Sequence, residues 1–346
     1  MIPTKVLYIN YIYQKGHLNF DRIHIDALIK QADDVKIVLH QKIAEQLPYP
    51  RERYALIIPS WLDHESPNGF INRLFYLATL LYLKIRLPFN DYNKVILSSM
   101  EEISLGLISL CRNKHIVCHD NARNWERGIK GFFLRLIARK NSFIVFNSNM
   151  AEPFRKNGPC YHIISHGCVH PYTLDNIDEF LPIDLSHYDT VILHPSNRPN
   201  EQFINTLKES ASFQEFLATN NILLILRSLK PQENISNNII YINHYLTFLH
   251  YKALFLKSDI ILMAYPDDFT YRVSGVSFEC VANNKLLLIK KNAALSYCRN
   301  YYNYDPIFSD IAQLQERIAY LKNNNNARCI VNSTDLTPDY TQLLLS

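Results

Sequence analysis

The chain has 346 residues, of which 48% are hydrophobic and 20% are charged, and its formal net charge at pH 7 is +4. This balance of apolar and charged residues excludes an intrinsically disordered chain, and the small net charge is unlike that of a nucleic-acid-binding domain. The length predicts two domains, each able to bury its own hydrophobic core.

The first half of the sequence alternates between short apolar segments, which indicate buried strands, and longer segments with the apolar spacing of helices. Strands are predicted at residues 6–9, 35–39, 55–58, 94–97, 115–118 and 143–147. Helices are predicted at residues 21–31, 72–83 and 102–111.

An acidic, proline-containing stretch at residues 175–189 indicates a linker, after which the alternation begins again. Strands are predicted at residues 190–194, 222–226, 239–242, 260–263 and 286–289, and helices at residues 200–209, 245–257, 277–283 and 310–321. Buried strands separated by helices favour parallel β-α-β units. The sequence therefore predicts an α/β fold of two Rossmann-like domains that face each other across a cleft. Ligands of such folds bind at the carboxyl ends of the strands.

Seven cysteines occur without any Cys-x-x-Cys pair, so neither a disulfide framework nor a zinc site is indicated. The N-terminus leads straight into a predicted strand rather than a signal peptide. No stretch of about 18 uncharged apolar residues indicates a membrane span. We therefore expect a cytoplasmic protein with reduced thiols.

A turn and a helix start near residues 271–279 offer a binding site for an anion. Ser274 and Gly275 form a small-residue turn before a predicted helix, whose first backbone N–H groups and dipole attract negative charge. Glu279 follows within about one helical turn. A carboxylate there can accept hydrogen bonds from two vicinal hydroxyls, such as those of a ribose.

Residues 258–289 resemble the donor-binding region of GT-B glycosyltransferases related to the glycosyltransferase group 1 family. That family carries a strand, a proline-containing loop, the pattern E-G-F-G-x-x-x-x-E, and a helix of small residues followed by G-x-P-V-I. The resemblance implies that Glu279 is the glutamate that holds the ribose and that Ser274 and Gly275 meet the pyrophosphate. Tyr271 stands where the family has its first glutamate, which leaves the sugar and the stereochemistry of transfer open. A strand, loop and helix without a ligand is the alternative interpretation.

Residues 146–150 and 163–169 resemble the end of the N-terminal domain in the same family, where a strand and Asn-Ser precede a helix and then I-x-H/N-G-V-D. Gly167 matters physically because a hinge turn often requires a positive φ, and His166 belongs to this motif or is an ordinary turn residue. The resemblance implies an N-terminal acceptor-binding domain at 1–170 and a C-terminal nucleotide-sugar-binding domain at 171–330. The segment at 331–346 is expected to pack back on the N-terminal domain.

His119 and Asp120 follow the predicted strand at 115–118, at the end where ligand-binding residues belong. In the family a histidine at this place contacts the donor sugar, so the resemblance implies that the pair is catalytic. Asp120 is a candidate general base for an inverting reaction. Glu101 and Glu102 lie at an equivalent level as rival bases, with Glu101 expected on the acceptor side. Alternatively, His119 caps or packs beside the following helix.

The loop after the first strand contains a single glycine, Gly16, next to His17. The family has a glycine-rich loop at this place that faces donor and acceptor. We therefore predict Gly16 and His17 on the acceptor side.

A GT-B enzyme that uses no metal ion needs cationic side chains to stabilise the charge on the departing diphosphate. We predict this donor-binding role for Arg198, Arg227, Lys230 and Arg272. Each of them can instead be a solvated surface charge.

Residues 70–89 and 130–140 mix basic and apolar side chains. The second stretch predicts a basic amphipathic helix that can lie on an anionic membrane surface. A core-facing helix with a solvated basic face is the alternative. Asp267 and Asp268 lack the spacing of a metal-binding Asp-x-Asp motif, so neither a metal site nor a cofactor is expected.

These features together predict a metal-independent glycosyltransferase that moves a sugar from a UDP- or GDP-type donor to a glycan or lipid-linked glycan, in the assembly of a bacterial surface polysaccharide. The expected partners are the nucleotide-sugar, the acceptor and the inner membrane surface, without nucleic acid. A GT-B nucleotide-sugar epimerase and a non-enzymatic two-domain sugar-binding protein are the alternatives. The donor sugar, the base, the acceptor, the stereochemistry and the oligomeric state stay open.

Overall fold

A computed structural model describes residues 4–14, 17–111, 113–126, 128–196, 199–227, 236–244 and 246–346. The chain divides into two compact units. The first comprises Met1–Gly167 and Leu336–Ser346, and the second comprises Cys168–Asp335. Both are Rossmann-like α/β units built on a parallel sheet, which confirms the predicted fold class.

The first unit has a seven-stranded sheet in the order β3-β2-β1-β4-β5-β6-β7. Its strands are β1 Lys5–Ile9, β2 Asp34–His40, β3 Tyr54–Ile58, β4 Lys94–Leu97, β5 His115–Val117, β6 Ser142–Val145 and β7 Tyr161–Ile163. Its helices up to residue 167 are α1 Leu18–Gln31, α2 Gln41–Ala44, α3 Gly69–Arg86, α4 Glu102–Leu107, α5 Gly128–Ala138 and α6 Ser148–Asn157. The central strand β1 pairs in parallel with β2 and β4. It is buried from Val6 to Ile9, because helices cover both faces of such a sheet.

The second unit has a six-stranded sheet in the order β10-β9-β8-β11-β12-β13. Its strands are β8 Thr190–His194, β9 Ile222–Arg227, β10 Ile239–Ile242, β11 Ile260–Met263, β12 Leu286–Lys290 and β13 Ile307–Phe308. Its helices are α7 Glu201–Glu209, α8 Ala211–Thr219, α9 Phe248–Lys257, α10 Gly275–Ala282 and α11 Ile311–Asn323. The strand order reverses at β8, which pairs with both β9 and β11. Doubly wound sheets bind ligands at such a reversal.

Residues after the second unit return to the first. A short helix, α12 Thr341–Leu345, closes the chain. Just before it, the backbone N–H of Tyr340 donates to Gln31 Oε1 at 2.6 Å, and Gln31 Nε2 donates to the carbonyl of Pro338 at 2.9 Å. The Tyr340 ring is fully buried and its hydroxyl lies 2.6 Å from His24 Nδ1. These contacts fix the end of the chain to α1.

Several elements differ from the sequence-based expectations. The helix predicted at 102–111 ends at Leu107, and the helix predicted from residue 245 is described from Phe248, after its N-cap Thr247. The strand β7, the two-residue strand β13 and the helices α2, α8 and α12 were not predicted. Segments of two to five residues are too short to show a periodicity. The N-cap of α8 is Ser210, whose hydroxyl accepts a hydrogen bond from Phe213 N. Serine is a favoured N-cap, so the sequence contained a signal for the start of this helix.

Candidate functional site

The N-terminus of α10 lies in the second unit, after the loop that follows β11. Its N-cap residue, Ser274, makes no capping hydrogen bond with its side chain. Instead Ser274 Oγ lies 2.8 Å from the hydroxyl of Tyr265. Backbone N–H groups in the first turn of a helix lack partners within the helix, so this end attracts an anion.

Space above this helix start is open. Gly275 is the first helical residue, and a Cβ placed on it would meet no atom within 4 Å. The Ser277 hydroxyl donates to the carbonyl of Ser274 at 2.7 Å and lies 2.8 Å from the hydroxyl of Tyr297. Hydroxyl groups therefore hold the turn predicted at Ser274 and Gly275, and the side of the turn at Gly275 is open.

Glu279 lies on α10, one turn further along. Its Oε2 accepts a hydrogen bond of 2.6 Å from the hydroxyl of Tyr251 on α9. Burial raises the pKa of Glu279 above its usual range, while hydrogen bonds from Tyr251 and Tyr172 and the charge of Arg227 oppose that rise. The carboxylate is thus held by phenol donors in a partly buried position.

Arg227 and Arg272 lie near aromatic rings. Arg227 ends β9, donates to the carbonyl of Pro195 at 3.0 Å, and has its guanidinium 5.6 Å from the centroid of the Tyr251 ring. The guanidinium of Arg272 lies 4.7 Å from the centroid of Phe269. Cation–π contacts of this kind help to position a guanidinium group.

Tyr271, which the sequence resemblance aligns with a glutamate, has a φ of +49°. A bulky residue with positive φ is a backbone outlier that tends to occur at functional sites. The predicted residues Arg198 and Lys230 lie outside the described residues, as does Gly16 of the first unit.

In the first unit, His119 follows β5 and its Nε2 lies 2.8 Å from the carbonyl oxygen of Ser98. A carbonyl only accepts, so Nε2 carries the hydrogen and Nδ1 is the basic nitrogen of the neutral ring. Burial lowers the pKa of His119 to about 4. The ring is therefore neutral at physiological pH and able to accept a hydrogen bond.

His17, the N-cap of α1, lies beside it, with 4.6 Å between the two imidazole centroids. Burial and the neighbouring His119 together lower the pKa of His17 to about 3, against the negative charge of Asp120, which acts in the opposite direction. The structure thus brings His17 next to the pair His119 and Asp120, which the sequence placed in a different predicted loop.

Phe20 on α1 stands at the centre of these imidazoles. Its ring centroid lies 4.7 Å from that of His119, 5.1 Å from that of His166 and 4.0 Å from that of His24. Burial lowers the pKa of His166 to about 4. This apolar centre keeps the surrounding histidines neutral, since desolvation disfavours the charged form.

The acidic candidates of the first unit have different surroundings. Asp120 lies 3.2 Å from Arg123, and its side chain is 41% exposed. Glu101 caps α4 by accepting from Ser104 N and also accepts two hydrogen bonds from Arg73, each of 3.0 Å. Its carboxylate is therefore already engaged by a helix cap and an ion pair.

Glu102, the other rival base, is buried and accepts hydrogen bonds from Asn121 and Asn124 at 2.8 and 2.7 Å. Sequence reasoning did not single out Tyr172, Tyr251 and Tyr265, which contact the predicted residues Glu279 and Ser274. Tyrosine is common in this chain, 22 residues in all, so no single tyrosine stands out without a motif. Within the part of the chain that the structure describes, no group of three or more histidine, cysteine or acidic side chains is arranged to hold a metal ion.

The sequence matches no protein-family model, and no curated protein is significantly similar to it. Its fold, however, occurs in solved structures. A sucrose-phosphate synthase from Thermosynechococcus elongatus has a TM-score of 0.62 at 10% identity, with 99% of this chain and 96% of that chain covered. A UDP-N-acetylglucosamine 2-epimerase from Rickettsia bellii has a TM-score of 0.56 at 13% identity, with 96% and 93% covered.

An α,α-trehalose-phosphate synthase (UDP-forming) from Burkholderia xenovorans has a TM-score of 0.54 at 9% identity, with 92% of each chain covered. At these identities the likeness establishes the fold, which is GT-B. The prediction of two Rossmann-like domains of the GT-B type is confirmed.

Proposed function

We propose that this chain is a glycosyltransferase that moves a sugar from a UDP- or GDP-type donor to a glycan or lipid-linked glycan. The observation that carries the proposal is the start of α10, where Ser274 leaves the helix N-terminus uncapped and Glu279 lies one turn away. An anion site next to a fixed carboxylate matches a nucleoside diphosphate, which combines a diphosphate with a ribose diol.

In this proposal the donor binds the second domain. The backbone N–H groups at the start of α10 contact the diphosphate, and Arg227 and Arg272 supply positive charge as the diphosphate departs. Glu279 accepts hydrogen bonds from the ribose hydroxyls. Arg198 and Lys230 are proposed for the same diphosphate on the sequence argument alone.

The acceptor hydroxyl is proposed to meet the first domain, where a base must take its proton as the new bond to the sugar forms. The neutral ring of His119 accepts a hydrogen bond at Nδ1 and orients a sugar hydroxyl. The carboxylate of Asp120 receives the proton as general base.

A nucleotide-sugar epimerase is the second candidate, because one of the solved structures with this fold is a UDP-N-acetylglucosamine 2-epimerase. That reaction requires acid–base groups at both faces of the sugar. Tyr271 in place of a glutamate makes the second domain less suited to it. The two reactions differ in product, since a transferase releases a nucleoside diphosphate and an epimerase returns a nucleotide-sugar.

A coupled assay tests the proposal. The full chain is incubated with a panel of UDP- and GDP-sugars and glycan acceptors, with and without EDTA, and nucleoside diphosphate release is measured. We expect acceptor-dependent release that EDTA does not abolish. Conversion of the nucleotide-sugar to an isomer without release of nucleoside diphosphate would support the epimerase. A chain that releases none and whose melting temperature is raised only by free sugars would support a binding protein. Assignment to surface polysaccharide assembly depends on which acceptor is used.

A further inference from the structure

Helix α3 in the first unit presents an apolar stripe to solvent. Its buried residues are Thr79, Leu80 and Leu83. Four large apolar side chains on the helix are between 50% and 80% exposed: Phe70, Leu74, Leu81 and Ile85. Their spacing of four, seven and four residues places them on one side of the helix.

The neighbouring helices extend this stripe. Helix α4 contacts both α3 and α5, and Leu107 at its end is 59% exposed. On α5 the inward residues Gly131, Leu134 and Ile137 are buried. The outward apolar residues of α5 are Ile129, Phe132 and Leu136. We call the eight exposed residues of these three helices the apolar face. Exposed apolar side chains gathered on adjacent helices mark an interaction site.

An aromatic cluster borders the apolar face. Trp61 lies on the short 3-10 turn Ser60–Leu62 and is 65% exposed. Its ring contacts that of Tyr82 edge-on at 6.5 Å, and the guanidinium of Arg86 lies 5.9 Å from the Tyr82 centroid. Tryptophan, tyrosine and arginine combine an apolar body with a polar end, which suits them to the boundary between hydrocarbon and water.

The charge of the two longer helices has a single sign. Helices α3 and α5 contain neither Asp nor Glu. Their charged residues are Arg73, Lys84, Arg86, Lys130 and Arg135. Arg73 and Lys130 lie near Glu101 and Glu102, whereas Lys84, Arg86 and Arg135 are exposed. Exposed Arg139 and Lys140 follow α5 directly. A second copy of this chain would set these cations against one another, while anionic headgroups would neutralise them.

We propose that the apolar face docks on a bilayer that contains anionic lipid. The side chains of Phe70, Leu81 and Ile85 enter the headgroup boundary, and the cations of α3 and α5 contact the headgroups. No described helix is long and apolar enough to cross a membrane. Docking rests on the exposed residues alone. Docking on a bilayer would favour a lipid-linked acceptor, and that consequence rests on the proposed sugar transfer.

Co-sedimentation of the full chain with vesicles tests the docking without donor or acceptor, so its outcome is separate from that of the transferase assay. The vesicles are pure phosphatidylcholine or contain about 30% phosphatidylglycerol. The test variant is Leu81→Glu with Ile85→Glu. The matched control is Leu249→Glu with Ile330→Glu, which places the same two charges on residues of the second unit that are 43% and 54% exposed.

The wild type is expected to sediment with the anionic vesicles, less with the neutral ones, and less at higher salt. The affinity of the test variant for anionic vesicles should fall about tenfold or more, with an unchanged melting temperature. The control should bind like the wild type. Failure of the wild type to bind anionic vesicles, or equal binding by the test variant, would overturn the proposal. So would a stable dimer in solution that the test variant dissociates.

Discussion

The hydroxyl of Tyr251 donates a hydrogen bond of 2.6 Å to Oε2 of Glu279, across from α9 to α10. This bond settles the orientation of the carboxylate that we propose as the ribose ligand. It also lowers the pKa of a carboxyl group that burial would otherwise raise further. In the proposed nucleotide site Tyr251 is thus a positioning residue, which would act on the nucleotide through Glu279.

Replacing Tyr251 with phenylalanine should weaken nucleotide binding about five- to tenfold, in line with the loss of one hydrogen bond to a charged group. The loss should grow as the pH falls from 8 to 6, because the pKa of Glu279 rises without its donor and more of the carboxyl is protonated. Titration calorimetry at the two pH values measures both effects. Tyr304→Phe is the control, since Tyr304 bonds to Leu287 instead. A pH-independent loss would argue for a merely structural role.

Tyr265 keeps the Ser274 hydroxyl away from the start of α10. In Tyr265→Phe that hydroxyl can turn and cap the helix, which would compete with a bound phosphate. We expect UDP or GDP affinity to fall about threefold or more, while binding of the nucleoside without phosphate stays the same. An equal loss for nucleoside and nucleotide would contradict the diphosphate site at α10.

His119→Gln should lower turnover about a hundredfold, because it removes the nitrogen that accepts a hydroxyl hydrogen. Nucleotide affinity should be unchanged, since the proposed nucleotide contacts all lie in the second unit. His115→Gln is a matched control, because His115 begins β5, the strand that His119 follows, and bonds to Ser142. Steady-state kinetics on both variants measures this difference in turnover. Full turnover in His119→Gln would show that His119 does not belong to the acceptor site.

The buried histidines should make stability pH-dependent. Burial lowers the pKa of His115 and of His194 to about 4 in the folded chain, and lowers that of His24 as well. The unfolded chain binds protons near the ordinary pKa of about 6.5, so stability present above that pH is lost as the pH falls toward 4. We expect the melting temperature to fall by roughly 5 °C between pH 7 and 5. His115→Gln should reduce this fall.

The buried acids Asp21 and Glu279, whose pKa values burial raises, work in the opposite direction. Burial raises the pKa of Asp21 to about 6, so the folded chain holds this proton more tightly and gains stability as the pH falls through 6. A melting temperature that rises from pH 7 to 5 would show that the buried acids outweigh the histidines.

Gly167 should tolerate no side chain. Its φ is +80°, and a Cβ there would come within 3.1 Å of Pro338 Cδ and still closer to Ile23. We expect Gly167→Ala to destabilise the chain by about 2–4 kcal/mol, which combines backbone strain with overpacking. Gly158→Ala separates the two, since Gly158 has a φ of +79° and no atom within 4 Å of a Cβ. Equal losses of stability in urea unfolding would mean that the contact with Pro338 has no effect.

The fold could be predicted because its strands are continuous apolar runs. Strands β8, β10 and β11 begin and end where the sequence indicated. Parallel strands buried on both faces leave this signal in any sequence that forms them. Local propensity does not reveal the pairing of Tyr340 with His24, because it joins residues 316 positions apart.

The site could be predicted only where a short motif carries it. Ser274, Gly275 and Glu279 lie within six residues and share one helix start, so their proximity is local. The phenol of Tyr251 and the imidazole of His17 reach their neighbours through tertiary packing, and nothing in the nearby sequence indicates those contacts. Whether the predicted residues bind donor and acceptor stays a prediction.

Calorimetric titration of UDP and GDP into the full chain, with EDTA present, tests the central claim most directly when wild type is compared with Glu279→Gln. This exchange preserves the size of the side chain and removes its charge. The account predicts that the wild type binds one nucleotide without a metal ion and that Glu279→Gln binds it about tenfold or more weakly, with an unchanged melting temperature. Equal affinities in the two proteins, or no binding to the wild type, would contradict a nucleotide-sugar site at α10.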